Sequence, residues 1–457
     1  MPKLQNLLFI FLIFIYTTIH AQSWVNVGTP GFSVGATQWT SIATDGSGTP
    51  YVVYEDVANA NKITVMKYNG SSWVAVGSPG FSAGQANYPS VAINASDTPF
   101  VAFQDCANGC KATVMKYDGS DWVPVGSLGF SSNPAYFTNL ALNSTGTPYI
   151  VFSDGVGSSF GPATVMKYNG ISWQTVGSAG FSTGVAEGTS IAIDASQTPY
   201  VIYDDAVNGN KATVMKYSGS IWGPVGSTGF SLGVAASPSI AIDRAGTPYC
   251  AYVDFSYSYP PATVMKYNGS SWVAVGSPGF SAGQTKYTSI ALDPSGTPYV
   301  VYEDIANGHK ATVMKDSSNV WVNVGNPGFS ADTVDYTSLA IDKHGIAYAV
   351  FVDHANSEKA TVMSLETASG LENIGNAAIN ALTAFPNPND GSFVINLSTP
   401  TNEPAQITIT NILGEKIKEY NISTNQETTI QLDTPPGMYF LTALTNQGTQ
   451  STKIVVQ

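Results

Sequence analysis

The segment Trp73-Val-Ala-Val-Gly-Ser-Pro-Gly-Phe81-Ser82 recurs in closely similar form along the 457-residue chain. Residues 64–85 also reappear unchanged as residues 263–284. The tryptophan that opens the segment returns every 49 to 51 residues, at Trp24, Trp73, Trp122, Trp173, Trp222, Trp272 and Trp321. Self-similarity at this period is typical of repeat architectures, and the sequence therefore predicts seven structural units of one kind.

Each repeat contains four strand-like runs separated by Asp/Asn-Gly and Gly-Thr-Pro turns. In the first repeat they are Thr40–Asp45, Thr49–Asp56, Lys62–Tyr68 and Ser72–Gly77, named strands A, B, C and D here. Four short antiparallel strands in every repeat describe a propeller blade. We therefore expect an all-β protein with a seven-bladed β-propeller over residues 23–366.

The phase of the repeat makes a prediction about ring closure. The chain after residue 22 opens with a D strand, Ser23–Gly28, and the seventh repeat ends with its C strand, Lys359–Leu365. A closed ring without free sheet edges requires the first D strand to complete the last blade. We therefore expect Ser23–Gly28 to pair with Ala360–Leu365.

Residues 1–22 have the pattern of a secretory signal peptide. Lys3 precedes an apolar run from Leu7 to Tyr16, and small and polar residues follow up to Gln22. That run is short for a bilayer span, and no later segment approaches its length. We expect a secreted mature chain without a membrane span.

The charge balance argues against nucleic acid as a partner. The formal net charge is −13, charged residues make up 11% of the chain, and Arg244 is the single arginine. Proteins that bind nucleic acid need clustered basic side chains to neutralise phosphates. A single arginine also disfavours a sialidase, because that propeller family holds its substrate carboxylate with an arginine cluster.

The composition changes after the seventh repeat. Residues 367–382 are predicted to be a linker, and Pro386-Asn-Pro, Gly391-Ser-Phe393, Gly437-Met-Tyr-Phe and the Lys453-Ile-Val-Val tail follow. On these motifs, residues 383–457 resemble the type A sorting domain of the type IX secretion system of Gram-negative bacteria. The resemblance covers the last sixth of the chain and implies a small immunoglobulin-like β-sandwich. It also implies engagement of the type IX machinery, export across the outer membrane and, often, removal of the domain.

The longer D–A and B–C loops share one face of the propeller, where we expect any ligand site. Just before strand A, five of the seven repeats have an aromatic residue, and the other two have Gly188 and Ser237. Aromatic rings could stack on sugars or on a partner's side chains, although packing between blades is the simpler alternative. These candidate ligand-binding residues are Trp39, Tyr88, Phe137, Tyr287 and Tyr336.

Strand B ends in aspartate in every repeat. Such a ring of carboxylates could bind a cation or sugar hydroxyls, whereas loop capping or pairing with a nearby lysine such as Lys62 or Lys111 is the structural alternative. The candidates for ligand binding are Asp56, Asp105, Asp205 and Asp304.

Cysteine and histidine give little support for catalysis or metal binding. Cys106 and Cys110 could form a local disulfide in an oxidising compartment, and Cys250 lies in an apolar strand, as a buried thiol would. His309 and His354 fall in neighbouring B–C loops and could share a metal, but no further ligand accompanies them. No Ser/His/Asp or Cys/His arrangement is found, so we assign no catalytic residue, metal or cofactor.

The sequence favours a secreted or surface-exposed non-enzymatic binding protein, with several equivalent weak sites toward a glycan or a surface partner. The alternative is a secreted hydrolase or lyase that acts on polysaccharide with carboxylates of the long-loop face, for which Glu55-Asp56 and Glu303-Asp304 are candidates. A structural or adhesive protein without a small ligand is a third reading. Fold alone does not choose among them.

Overall fold

The computed structural model describes residues 22–155, 159–366, 382–397, 399, 402–411, 415–445 and 448–457. The expected signal peptide and linker lie outside the described residues, apart from Gln22 and Leu382. The chain divides into two compact units, Met1–Ala368 and Ser369–Gln457. Within the described ranges, no helix is both long and apolar enough to cross a bilayer.

Seven four-stranded antiparallel sheets form the first unit, which is a seven-bladed propeller. The innermost strand of each blade, strand A, is β2 Thr37–Thr44, β6 Ala86–Ile93, β10 Ala135–Leu142, β14 Ala186–Ile193, β18 Ala235–Ile242, β22 Thr285–Leu292 and β26 Val334–Ile341. Strand B is β3 Pro50–Asp56, β7 Pro99–Asp105, β11 Pro148–Asp154, β15 Pro199–Asp205, β19 Pro248–Asp254, β23 Pro298–Asp304 and β27 Ala347–Asp353. We number the blades 1 to 7 in this order.

The two outer strands complete each blade. Strand C is β4 Lys62–Tyr68, β8 Lys111–Tyr117, β12 Ala163–Tyr168, β16 Lys211–Tyr217, β20 Ala262–Tyr267, β24 Lys310–Asp316 and β28 Lys359–Glu366. Strand D is β5 Trp73–Ala75, β9 Trp122–Pro124, β13 Trp173–Thr175, β17 Trp222–Pro224, β21 Trp272–Ala274, β25 Trp321–Asn323 and, for blade 7, β1 Ser23–Asn26. Among the described residues, short 3-10 helices follow strand B at Val57–Asn59, Cys106–Asn108, Ala206–Asn208, Ile305–Asn307 and His354–Asn356.

The ring closes through the N-terminal strand. β1 pairs antiparallel with β28, with Trp24 opposite Leu365, so the first described strand is the outer strand of the last blade. The innermost strands β2 and β26 also contact each other, as do the other neighbouring A strands. The first unit is therefore a continuous ring of blades.

The hydrophobic core lies between adjacent blades. Strand B is buried along its whole length in blade 1, because each sheet is covered by a neighbour on both faces. Val53 of blade 1 and Val101 of blade 2, for example, belong to one buried cluster. At each seam a D-strand tryptophan stacks on the phenylalanine of the preceding Gly-Phe pair, as Trp122 does on Phe81 at 4.5 Å between ring centroids. The Gly-Phe pairs are thus structural.

Two local features complete the propeller. Cys106 and Cys110 form a disulfide in the B–C loop of blade 2. Cys250 is a fully buried free thiol in β19, as its apolar surroundings predicted.

The second unit is a small β-sandwich. Its strands are β29 Leu382–Phe385, β30 Ser392–Leu397, β31 Pro404–Asn411, β32 Lys416–Ser423, β33 Thr428–Gln431, β34 Gly437–Thr445 and β35 Gly448–Val456. They form one sheet of order β29-β30-β33 and a second of order β32-β31-β34-β35. Alternating side chains of both sheets, such as Phe393, Ile407 and Leu441, fill the core between them.

Candidate ligand-binding site

Strand A is longer than the sequence predicted and contains a bulge. It begins at Thr37 in blade 1, not at Thr40, because the pairing with strand B breaks between Gln38 and Ser41 and resumes. The same break occurs in every blade. A bulge leaves its extra residue unpaired and redirects its side chain. The candidate aromatic residues therefore lie within strand A, at the bulge, and not before it.

The bulge residue has left-handed backbone geometry in all seven blades. The φ angles are 52° for Trp39, 52° for Tyr88, 53° for Phe137, 55° for Gly188, 49° for Ser237, 51° for Tyr287 and 50° for Tyr336. Positive φ is rare for bulky residues and costs about 1–2 kcal/mol per residue, a penalty that glycine avoids. Five blades nevertheless place a large aromatic ring on this strained backbone.

A threonine of the next blade holds the strained residue in place. The hydroxyl of Thr138, for instance, donates a 2.6 Å hydrogen bond to the carbonyl of Tyr88. Equivalent bonds join Thr40 to Tyr336, Thr189 to Phe137, Thr288 to Ser237 and Thr337 to Tyr287. Pro89 and Pro238 occupy the threonine position in blades 2 and 5. In five of the seven blades the bulge is thus fixed by a hydrogen bond across the seam between blades.

The five aromatic rings form one continuous arc around the propeller axis. In the order Tyr287, Tyr336, Trp39, Tyr88, Phe137, successive ring centroids lie 4.9, 4.6, 4.7 and 5.1 Å apart. The arc lines a cavity of about 450 Å³. Gly188 and Ser237 line the same cavity in blades 4 and 5, so the aromatic wall is open on that side.

Three carboxyl groups stand at one position of strand B, immediately before its terminal aspartate. Glu55 and Glu303 are 2% exposed, whereas Asp204 is partly exposed and lines the cavity. The bulge residues of blades 1 and 6 are Trp39 and Tyr287, whereas blade 4 has Gly188 and no ring at the bulge. Blade 4 therefore presents a carboxyl group where the aromatic arc is interrupted.

The pKa values of two of these three carboxyl groups are raised by their surroundings. Burial raises the pKa of Glu55 to about 7. The pKa of Asp204 is raised to about 7 by burial, and further by the negative charges of Glu187 and Asp205. Glu303 accepts a hydrogen bond from Lys286 at 3.3 Å and contacts His309 Nδ1 at 2.5 Å. Of these three carboxyl groups, Glu303 is the one that contacts basic side chains.

The two histidines considered as a shared metal site each contact a carboxylate of their own blade. His309 contacts Glu303, and His354 Nε2 lies 2.7 Å from Asp335 Oδ2. Within the residues that the structure describes, no three His, Cys, Asp or Glu side chains are grouped closely enough to hold a metal ion.

The structure does not bring the four candidate aspartates into the cavity. Asp56 is 1% exposed, and its Oδ2 accepts hydrogen bonds from Asn59 of the adjoining 3-10 helix and from Thr64 of strand C. Asp105, Asp205 and Asp304 make the same pair of bonds in their blades. These carboxylates bind the B–C loop to its own blade. This arrangement corresponds to loop capping, the structural alternative to ligand binding given above.

Sequence reasoning missed Asp204 and Glu187 as candidates. The sequence contained a sign of them, because the residue types at the positions of Asp204 and Glu187 differ from repeat to repeat, whereas most other positions are similar. The strand B position is Glu55, Gln104, Ser153, Asp204, Val253, Glu303 and Val352, and the facing strand A position is Gln38, Asn87, Tyr136, Glu187, Ala236, Lys286 and Asp335. Variation at positions beside a cavity is expected of a binding surface on a repeated scaffold.

Comparison with known proteins identifies the second unit. Residues 383–457 match the secretion system C-terminal sorting domain. Asn387, between the two prolines of the Pro-Asn-Pro motif, is bound to the final strand, since its Nδ2 donates to the Lys453 carbonyl and its Oδ1 accepts from Val455 N–H. The motif is thus part of the folded sandwich. The domain supports export of the chain to the cell surface or the extracellular space through the type IX secretion system.

The comparison with curated proteins finds no match. Among solved structures, a fungal alcohol oxidase of the AA5 family in complex with copper is 12% identical, with a TM-score of 0.53 over 94% of this chain and 100% of that chain. A lectin from Aleuria aurantia in complex with a fucosylated GlcNAc is 15% identical, with a TM-score of 0.44 over 65% and 99%. A polysaccharide lyase that acts on ulvan is 13% identical, with a TM-score of 0.47 over 76% and 94%. At these identities the likeness to the oxidase is one of fold alone.

Proposed function

We propose that this chain is a secreted binding protein whose axial cavity recognises a glycan, and that the sorting domain delivers it to the cell surface or medium. The observation that carries the proposal is the arc of five aromatic rings on strained backbone. Strained residues persist where the surrounding structure over-determines them, and they cluster at functional sites. Glycine adopts the same backbone without this conformational penalty, as Gly188 does. A position that served the fold alone would favour glycine, so the aromatic rings in five blades point to a role for the rings themselves.

The cavity suits sugar rings in size and chemistry. Its volume of about 450 Å³ lies within the range of small-molecule sites. Aromatic faces carry negative charge density and attract the C–H groups of a sugar face, while a few polar groups fix its orientation. Asp204 and the hydroxyl of Ser237 supply such groups among the residues that line the cavity.

The arrangement supports a single axial site over the several equivalent sites that repetition suggested. Adjacent aromatic rings are about 5 Å apart, so one sugar unit would contact more than one of them. The innermost strands converge on the axis, and side chains that point there share one space. Avidity would then have to come from oligomerisation or from repeated units within the glycan.

A carbohydrate-active enzyme is the second candidate, and one observation favours it. A carboxyl group with a pKa near 7 remains partly protonated at neutral pH and can act as a general acid. Asp204 has this property and lines the cavity, with Glu187 beside it. In that case Asp204→Asn would abolish the release of oligosaccharide products while preserving binding.

A glycan array probed with the full chain tests the proposal. We expect binding to a defined class of glycan and its loss in the Trp39→Ala/Tyr88→Ala variant. Phe440→Ala serves as the control, because that ring is exposed in the second unit. An array without any bound glycan, or equal binding by the double variant, would overturn the proposal.

A further inference from the structure

The cavity has two chemically different sides. The aromatic arc comes from blades 6, 7, 1, 2 and 3, and the interruption falls in blades 4 and 5. On the interrupted side, Glu187, Gly188 and Asp204 line the cavity. A ligand in this space meets ring faces on one side and carboxyl groups on the other.

Glu187 and Asp204 face each other directly. They are cross-strand partners in the sheet of blade 4. Like charges at directly opposite positions destabilise an antiparallel pair. In blade 6 the same two positions are Lys286 and Glu303, which form an ion pair at 3.3 Å. Blade 4 thus has two acids where blade 6 has a salt bridge.

Nothing in the described part of the chain compensates this pair. No basic side chain there forms an ion pair with Glu187 or Asp204, and the buried Oδ1 of Asp204 has no hydrogen-bond partner. A buried carboxylate oxygen without a donor is destabilising, and a positively charged donor compensates it best. The cavity therefore presents two carboxyl groups, Glu187 and Asp204, that no basic side chain of the described residues neutralises.

Glu187 and Asp204 are the charged side chains among the described residues that line the cavity, and no lysine, arginine or histidine of these residues lines it. Clefts lined by one sign of charge concentrate ligands of the opposite sign. Aromatic faces also attract cations, most strongly when the cation is desolvated among them.

We infer that the ligand of the axial cavity is an amine-bearing glycan, with its ammonium group between Glu187 and Asp204 and its sugar ring on the aromatic arc. The inference rests on the proposed glycan binding and narrows it to one class. An ammonium group offers three donors, which matches two facing carboxylates. A uronate or sulfated glycan would place its negative charge against Glu187 and Asp204 and is therefore disfavoured.

Three hexasaccharides test this assignment on the full chain: glucosamine, N-acetylglucosamine and galacturonate oligomers. They separate cationic, neutral and anionic ligands of comparable length. We expect the glucosamine hexamer to bind at least about tenfold more tightly than the other two, the scale of one charge-assisted hydrogen bond. The preference should weaken as the salt concentration rises, because salt screens accessible charges.

Two variants test whether the preference for the glucosamine oligomer arises from Asp204 and Glu187. Asp204→Asn should reduce the preference for glucosamine over N-acetylglucosamine oligomers about tenfold. Gln104 occupies the same position in blade 2, so an amide is compatible with the fold. Glu187→Gln is the second variant if the first folds poorly. Asp194→Asn is the matched control, since this aspartate caps the A–B turn of the same blade and Asn94 does so in blade 2.

The outcomes separate this inference from the proposed function. Equal or tighter binding of the neutral or anionic oligomer would overturn the amine assignment while leaving glycan binding intact. An unchanged preference in both Asp204→Asn and Glu187→Gln would also overturn it. A blank glycan array together with no binding of the three oligomers would overturn the proposed function itself.

Discussion

The indole Nε1 of Trp24 donates a 2.7 Å hydrogen bond to the backbone carbonyl of Val324, 300 residues further along the chain. Trp24 belongs to β1, the outer strand of blade 7, and Val324 follows β25 of blade 6. The same bond joins every neighbouring pair of blades, as between Trp73 and Val27 and between Trp122 and Val76. The seam that closes the ring is therefore built like the other six.

Loss of this residue should destabilise the whole propeller. Trp24 is buried and stacks on Phe329 with ring centroids 4.4 Å apart. We expect Trp24→Ala to lower the free energy of unfolding by about 3–5 kcal/mol, as truncation of a buried aromatic side chain does. Urea denaturation measures the change. Ile171→Ala, at a highly exposed side chain, is the control and should change stability by less than about 0.5 kcal/mol. Equal stability of Trp24→Ala and the control would show that the seam is not needed.

The strained bulge makes a second prediction. Tyr336 has a φ of 50°, which glycine adopts freely and alanine does not. Tyr336→Gly should therefore be more stable than Tyr336→Ala by about 1 kcal/mol, although glycine is usually the less stabilising residue within a strand. Thermal and urea unfolding of the two variants provide the comparison. An alanine variant of equal or greater stability would mean that the backbone relaxes and stores no strain.

The ring of B-strand aspartates should matter for stability and not for binding. Asp56 is buried and accepts hydrogen bonds from Asn59 and Thr64. Asp56→Ala leaves the buried Thr64 hydroxyl and the half-buried Asn59 amide without this acceptor, and we expect a loss of about 1–3 kcal/mol in the free energy of unfolding. Ligand affinity of the folded variant should stay within about twofold of the original, well below the 1.4 kcal/mol that a tenfold change requires. A large loss of ligand affinity in Asp56→Ala with unchanged stability would show that Asp56 contributes to ligand binding.

Glu55 should make stability depend on pH. Its pKa is raised by burial to about 7 in the folded chain, against about 4.3 in an unfolded one. Between these values the folded state binds more protons, so the stability that Glu55 contributes is complete below about pH 4 and is lost as the pH rises to 7. Glu55→Gln cannot titrate, and Gln104 shows that glutamine is accommodated at this position.

We therefore expect Glu55→Gln to gain stability relative to the unmodified protein on going from pH 4.5 to pH 8. Urea denaturation at both pH values measures this difference, with Asp194→Asn as the control carboxylate on the opposite face. A stability difference between Glu55→Gln and the unmodified protein that is the same at both pH values would contradict the assignment.

The sequence was sufficient for the fold because its decisive residues are repeated seven times. Trp24 and its six equivalents established the period, and the unmatched D strand at Ser23–Asn26 revealed how the ring closes. The Pro386-Asn387-Pro388 motif likewise identified the sorting domain. Each of these signals depends on residue type and spacing, which are visible without coordinates.

The site was only partly predictable. The aromatic positions were recognised, but their convergence on one cavity depends on a bulge with positive φ, and the identities of Trp39 or Tyr88 do not encode such a backbone. The burial of Asp56 depends on Thr64, eight residues away on another strand. Asp204 lines the cavity, whereas Glu55 and Glu303 at the same strand position are buried. These relationships arise from the stacking of blades and therefore appear only in three dimensions.

The claim that one aromatic arc forms one ligand site is tested most directly by calorimetric titration of the full chain with the glycan that the array identifies. We expect one glycan bound per chain. We also expect Trp39→Ala to remain folded and to bind the glycan at least about tenfold more weakly. A stoichiometry of about seven, one for each repeat, would contradict it. So would equal affinity of Trp39→Ala and the unmodified protein, because a site built on this arc cannot lose its central ring and remain unchanged.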